Sequence, residues 1–212
     1  MKDYLDVVVE QASDRHSKRL RSIDQYLKFR RANSGILPVL NVLEFDLDLP
    51  RTVLEDPIVL ELRQYIADIV LIDNDIASFN KEQAVGDEQW NLLYVVMQYS
   101  NIPFDAAMAW AAAYHTELEN KFIEGLQRIP SFGAKEIDDQ IQTYVHGLAA
   151  WPRGQDCWNF EGERYFGTSG EEYRKTRMVP LLPKIPQGIR TATRREDVVI
   201  PVIDELRGAV NL

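Results

Sequence analysis

One cysteine, Cys157, stands in a chain of 212 residues, which leaves no disulfide framework within the chain and no cysteine-built zinc site. Basic charge is also short. Against 33 Asp and Glu there are 24 Lys and Arg, for a net charge of −9 at pH 7. That balance argues against a nucleic-acid surface and against a polybasic membrane patch. It leaves room for an anion held in a locally basic or metal-lined pocket. No apolar run reaches the length of a membrane span, and the start, MKDYLDVVVEQASDRHSKRLR, lacks the uninterrupted apolar core of a signal peptide. The expectation from these absences is a soluble, cytoplasmic protein with no nucleic-acid partner and no membrane span. Strand signals are missing too: nowhere does a strict apolar–polar alternation recur between turn residues.

What is present is helical periodicity over a composition that is 45% hydrophobic, ample for a folded core. Apolar residues recur at three- and four-residue intervals. Tyr4, Val7, Val8 and Ala12 open one pattern; Ile23, Tyr26, Leu27 and Arg30 carry a second, which stops at Gly35. Pro38, Pro50 and Pro57 punctuate a connector of turns and short helices. A long helix starts at Pro57, suitably placed for a first turn, and is expected to run to about Asn80. Another covers Glu88 to Tyr99. A further long one starts at Pro103 and ends before Pro130, and its alanines between Ala106 and Ala113 let a neighbour approach closely. Lys135 to Ala150 and Gln155 to Tyr165 read as two more. The pattern predicts an all-α fold, a packed helical bundle. After Arg177, Pro180, Pro183 and Pro186 fall close together and a basic run follows. The expected division is a domain over 1–177 and a weakly structured Pro/Arg-containing tail over 178–212.

Stepping by four along the helix that starts at Pro57 gives Leu62, Ile66, Val70, Asn74, Ser78 and Glu82. Such positions share one face, drifting by about 40° per step. The first three are apolar and the last three carry oxygen. Amide carbonyl, hydroxyl and carboxylate are hard ligands of the kind Mg²⁺ accepts, whereas burying them unpaired is costly. By itself the spacing also leaves open a frayed, solvated helix end.

The stretch Asn74-Asp75-Ile76-Ala77-Ser78-Phe79-Asn80-Lys81-Glu82 resembles the second metal-binding motif, N-D-x-x-S-x-x-K-E, of class I terpene synthases of fungal type. The resemblance implies that Asn74, Ser78 and Glu82 bind Mg²⁺ and that Lys81 contacts diphosphate. Two companions stand in the expected order. YLKFRRANSG is similar to the family's Y-x-x-x-R-R-x-T-x-G, with matches at Tyr26, Arg30, Arg31 and Gly35. Arg31 is then the residue that senses diphosphate and Ser34 the linker, while Asn33 replaces the usual Thr. CWNFEGERYFG is similar to W-x-x-x-x-E-R-Y-x-G, which gives Arg164 and Tyr165 to the diphosphate and Trp158 to the cavity wall, where a ring face stabilises carbocations. Each motif alone reads equally as ordinary structure: a Gly-terminated helix with surface arginines, or a core aromatic.

The implied fold is the antiparallel bundle of class I terpenoid synthases. The implied activity is that of a Mg²⁺-dependent sesquiterpene synthase, a lyase of isoprenoid biosynthesis that ionises and cyclises a prenyl diphosphate, commonly farnesyl diphosphate. One element of that family is not found: no D-D-x-x-D or D-E-x-x-D precedes Arg31, and Asp138-Asp139 is followed by Gln140-Ile141-Gln142. The resemblance is therefore to the family's C-terminal portion, without its N-terminal helices. Two expectations follow: a part of a longer protein, or a truncated, catalytically inactive relative that turns over little by itself. A helical interaction protein is a further alternative. A His- or Cys-dependent hydrolase is disfavoured, because His16, His115, His146 and Cys157 make no local nucleophile arrangement. Apolar surface on helices lacking their partners is expected to favour self-association.

Overall fold

The computed structural model describes residues 20–185. The expected helix around Tyr4 to Ala12 and the tail beyond 185 lie outside the described residues. Among those described, every regular element is helical.

The central element is the helix Pro57–Val85, 29 residues long. Among the described residues it is the fourth α-helix, α4, after α1 (Ile23–Asn33), α2 (Ile36–Leu40) and α3 (Arg51–Leu54). Its ends follow from local chemistry. The Asp56 side chain accepts the Ile58 N–H, Pro57 occupies the first turn, and Gly86 at φ 78° stops the helix in the left-handed region. The expected end at Asn80 falls five residues short, because Lys81, Glu82, Gln83 and Ala84 are good helix formers and nothing before Gly86 breaks the pattern.

Two long helices pack on α4: α6 (Phe104–Leu126) and α7 (Lys135–Glu161). On α6, Ala107 and Ala111 are fully buried, as the alanine-rich stretch predicts. The close approach continues at Gly125, where a Cβ would stand 2.7 Å from Leu62 Cδ2 on α4. α1 and α5 (Leu92–Ser100) cover another side of α4. The core includes Leu62, Ile66, Ile69 and Ile72 of α4, Leu92 and Leu93 of α5, and Ile141, Tyr144 and Leu148 of α7.

Two expected boundaries change. The helix read from Glu88 to Tyr99 is a 3-10 turn, Glu88–Trp90, followed by α5, with the break at Asn91. Asn91 takes an extended conformation and its side chain accepts the Leu93 N–H, so it caps α5 instead of continuing a helix. The helix read over Lys135–Ala150 and most of that read over Gln155–Tyr165 are one element, α7, with Pro152 inside it, while Arg164 and Tyr165 fall in the next helix. An interior proline costs about 3 kcal/mol; here the helix carries through, with Ile141, Tyr144, Val145 and Leu148 buried before it and Asn159 after it. Gly162 then ends α7, and the short helices α8 (Glu163–Phe166) and α9 (Gly170–Thr176) turn the chain back.

Residues 178–185 are not helical, and they return along the end of α4. The Asn80 amide donates to the Pro180 carbonyl and its oxygen accepts the Leu182 N–H, both at 2.8 Å. Gln83 donates to the Leu182 carbonyl, and the Ile185 N–H donates to the Ala84 carbonyl. Among the described residues no helix is long and apolar enough to cross a membrane.

Candidate metal centre

The oxygen-bearing positions of α4 do not form a frayed end. Ser78 is 4% exposed and Asp75 2% exposed, inside an unbroken helix. Asn74 and Glu82 are half-buried. Removal from water pushes the Glu82 carboxyl above its ordinary range, and the hydrogen bond from Asn91 pulls it partly back.

Asp75 is the hub around which this end of α4 is built. Its Oδ2 accepts the Tyr26 hydroxyl at 2.5 Å and the Leu92 N–H at 2.9 Å, and its Oδ1 accepts Arg30 Nη2 at 2.8 Å. One buried carboxylate thus ties α1 and the start of α5 to α4. Arg30 Nη2 also reaches Asn74 Oδ1, at 3.1 Å. Its neighbour Arg31 points elsewhere. Arg31 Nε and Nη2 make a two-pronged pair with Asp68, at 2.5 and 2.7 Å, and Asp68 is 1% exposed. Arg30 is therefore the arginine that touches the motif, and Arg31 stands one and a half turns along α4 from Asn74.

The third motif arrives from 91 residues away. The Asn74 amide donates to the Tyr165 hydroxyl at 2.7 Å. That bond uses Tyr165 as acceptor and leaves its O–H to donate outward. Trp158 meets Tyr165 edge-on at 5.9 Å between ring centroids, and the Arg164 guanidinium lies 5.5 Å from the Tyr165 ring centroid. Lys81 Nζ is 3.5 Å from the Arg164 carbonyl. Asn74, Lys81, Arg164, Tyr165 and Trp158 are thus gathered at one end of α4, with Ser78 and Glu82 beside them.

The donor set fits a hard cation. Ser78 Oγ and Glu82 Oε2 both lie within reach of one atom, Asn91 Nδ2, at 3.4 and 2.9 Å, so the two oxygens already converge on a shared point. Asn74 Oδ1 is engaged by Arg30 and would have to turn from it to join them. Only one of the three candidate groups is a carboxylate. Among the described residues no group of three or more His, Cys, Asp and Glu side chains could hold a metal ion. A site of this composition leaves most of a divalent charge to be balanced by an anionic ligand.

Asp68 and Asn91 were not singled out by the sequence. Asn91 had a signal, a cap residue directly before the apolar run LLYVV. Asp68 had none, since one acid among apolar neighbours names no partner.

Comparison with known proteins gives the chain a family. Residues 1–121 match the family model described as terpene synthase family 2, C-terminal metal binding. A sesquiterpene synthase of Postia placenta, number 14, is 47% identical over 202 residues, covering 95% of this chain and 57% of that protein. A delta(6)-protoilludene synthase of the same fungus, number 18, is 49% identical over 197 residues, covering 93% of this chain and 56% of that protein. The chain spans little more than half the length of these curated relatives. Among solved structures, linalool/nerolidol synthase from Streptomyces clavuligerus superposes with a TM-score of 0.66 at 20% identity, covering 74% of this chain and 55% of the other.

Proposed function

The chain belongs to the terpene synthase family, in its C-terminal metal-binding portion, and from that premise we propose that it supplies a Mg²⁺ site and part of the diphosphate grip of a sesquiterpene cyclase acting on farnesyl diphosphate. The observation that carries this reading is the Asn74–Tyr165 hydrogen bond. It joins the metal motif to the Arg164-Tyr165 pair, two elements that share no role in an ordinary helical bundle.

In this reading Asn74, Ser78 and Glu82 hold Mg²⁺. When bound, the metal neutralises charge on the departing diphosphate. The chain's own residues do the rest. Lys81 and Arg164, both exposed at the same end of α4, attract the polyanion. The Tyr165 hydroxyl, already accepting from Asn74, donates its proton into a hydrogen bond to a phosphate oxygen. Arg31 is fixed by Asp68 through two nitrogens, which leaves Nη1 for the anion. Trp158, held edge-on to Tyr165, presents a ring to the allylic cation. Residues 1–177 form the domain that carries these groups, and 178–212 are its tail.

The relatives' printed names, sesquiterpene synthase and delta(6)-protoilludene synthase, support a cyclisation of this class. The test joins this chain to the N-terminal half of the Postia placenta sesquiterpene synthase and supplies farnesyl diphosphate with Mg²⁺. A cyclic hydrocarbon by gas chromatography and mass spectrometry is expected, and Glu82→Gln should lower turnover by about a hundredfold or more, the scale of losing an electrostatic group aimed at the transition state. A folded joined protein that makes no hydrocarbon overturns the cyclase reading. Retained diphosphate binding would then favour an inactive relative.

A further inference from the structure

Asn91 belongs to none of the motifs, yet its side chain touches three residues of one of them, Asp75, Ser78 and Glu82. It is fully buried, and its amide nitrogen makes three contacts: Asp75 O at 2.6 Å, Ser78 Oγ at 3.4 Å and Glu82 Oε2 at 2.9 Å. Its other side-chain atom, Oδ1, caps α5 through the Leu93 N–H at 3.0 Å. The Asn91 backbone follows a break in the chain, Gly86 to Trp90, which lets the side chain enter between α4 and α5.

The chemistry of this placement is specific. An amide NH₂ carries partial positive charge and two protons; here it bonds the Asp75 carbonyl and the Glu82 carboxylate, with the Ser78 hydroxyl oxygen at the longer distance, so that the two side-chain oxygens on consecutive turns of one helix share one donor. A buried carboxylate without such a donor would be costly and free to rotate away. We propose that Asn91 is a positioning residue for the metal centre: its amide holds Ser78 and Glu82 facing one point before the cation arrives, and the cation then takes over those oxygens. The inference rests on the assignment of Ser78 and Glu82 as metal ligands. It adds that the site's preorganisation is built from the loop after α4 and not from α4 alone.

This separates two functions within one side chain. Oδ1 serves the fold, by capping α5, and Nδ2, besides bonding the Asp75 carbonyl, serves the site. Asn91→Ser keeps a good cap and removes the reach to Glu82. Affinity for Mn²⁺, the probe, is read on the full chain from the free-ion electron paramagnetic signal, with Asn91→Ser, Glu82→Gln and the double variant compared at matched helicity. Loss of a residue that orients a ligand costs about 10–100-fold in metal affinity. The expected result is a loss in that range for Asn91→Ser, a loss at least as large for Glu82→Gln, and little added by Asn91→Ser on top of Glu82→Gln. Unchanged affinity in Asn91→Ser, with wild type binding and Glu82→Gln impaired, overturns the inference and leaves the metal reading intact. No Mn²⁺ binding by folded wild type overturns both.

If Asn91→Ser does not fold, the wild-type side-chain amide decides the matter. Its ¹H–¹⁵N signals should shift on saturation with Mg²⁺ as Glu82 and Ser78 are handed over. Signals that stay fixed at saturation overturn the proposal.

Discussion

Asp75 contributes more to this protein than its place beside a proposed metal ligand indicates. It is 2% exposed and accepts three hydrogen bonds, from Tyr26, Arg30 and the Leu92 backbone. Asp75→Ala would leave Arg30 partly buried without its carboxylate and would orphan the first N–H of α5. Breaking a buried pair from one side costs about 3–5 kcal/mol. That loss is expected in the urea unfolding free energy of Asp75→Ala, and a change below about 1 kcal/mol, the size of an exposed pair, would remove Asp75 as the hub. The same network explains why Arg30 and Arg31, adjacent in sequence, are not interchangeable. Each is held by its own aspartate, two helical turns apart on α4, and only Arg30 touches Asn74.

At the scale of elements, the segment 178–185 is tied to α4 by residues that alternate with the site. Asn80 and Gln83 bind its backbone, while Ser78 and Glu82 face Asn91. The Asn80 side chain satisfies one carbonyl and one N–H of the segment, as a neighbouring strand would. Asn80→Ala should therefore speed hydrogen exchange at the Leu182 amide by an order of magnitude or more, with the helical amides of α4 unchanged. Equal exchange at Leu182 in both proteins would show that this bond does not hold the segment. Asn80 lies within the nine-residue motif, yet its role is to anchor a segment about 100 residues on, which no local pattern displays.

For the molecule as a whole, the exposed apolar groups are unevenly supported by packing. Phe45 is 77% exposed, Met178 74% and Leu181 70%, and Trp158 shows nearly half its surface. Such surface favours association. Light scattering on the purified chain at tens of micromolar is expected to report species larger than a monomer, while a monodisperse monomer would count against self-association.

The sequence by itself determined the helical class, most element positions and the three motifs, because helical periodicity, proline and glycine placement, and short motif spacing are local properties of the chain. It also determined that Asn74, Ser78 and Glu82 share one face of one helix. It divided the Lys135–Glu161 helix in two around residues 151–154, where Pro152 stands, since the local cost of proline is visible in sequence and the burial on both sides of it is not. Only tertiary structure decided that Tyr165 meets Asn74, that Arg30 instead of Arg31 reaches the motif, and that Asn91 stands between Ser78 and Glu82. Those are contacts between segments 9 to 91 residues apart. Their geometry depends on how α1, α5 and α8 pack around α4, and side-chain direction at a packed interface is set by all the neighbours at once.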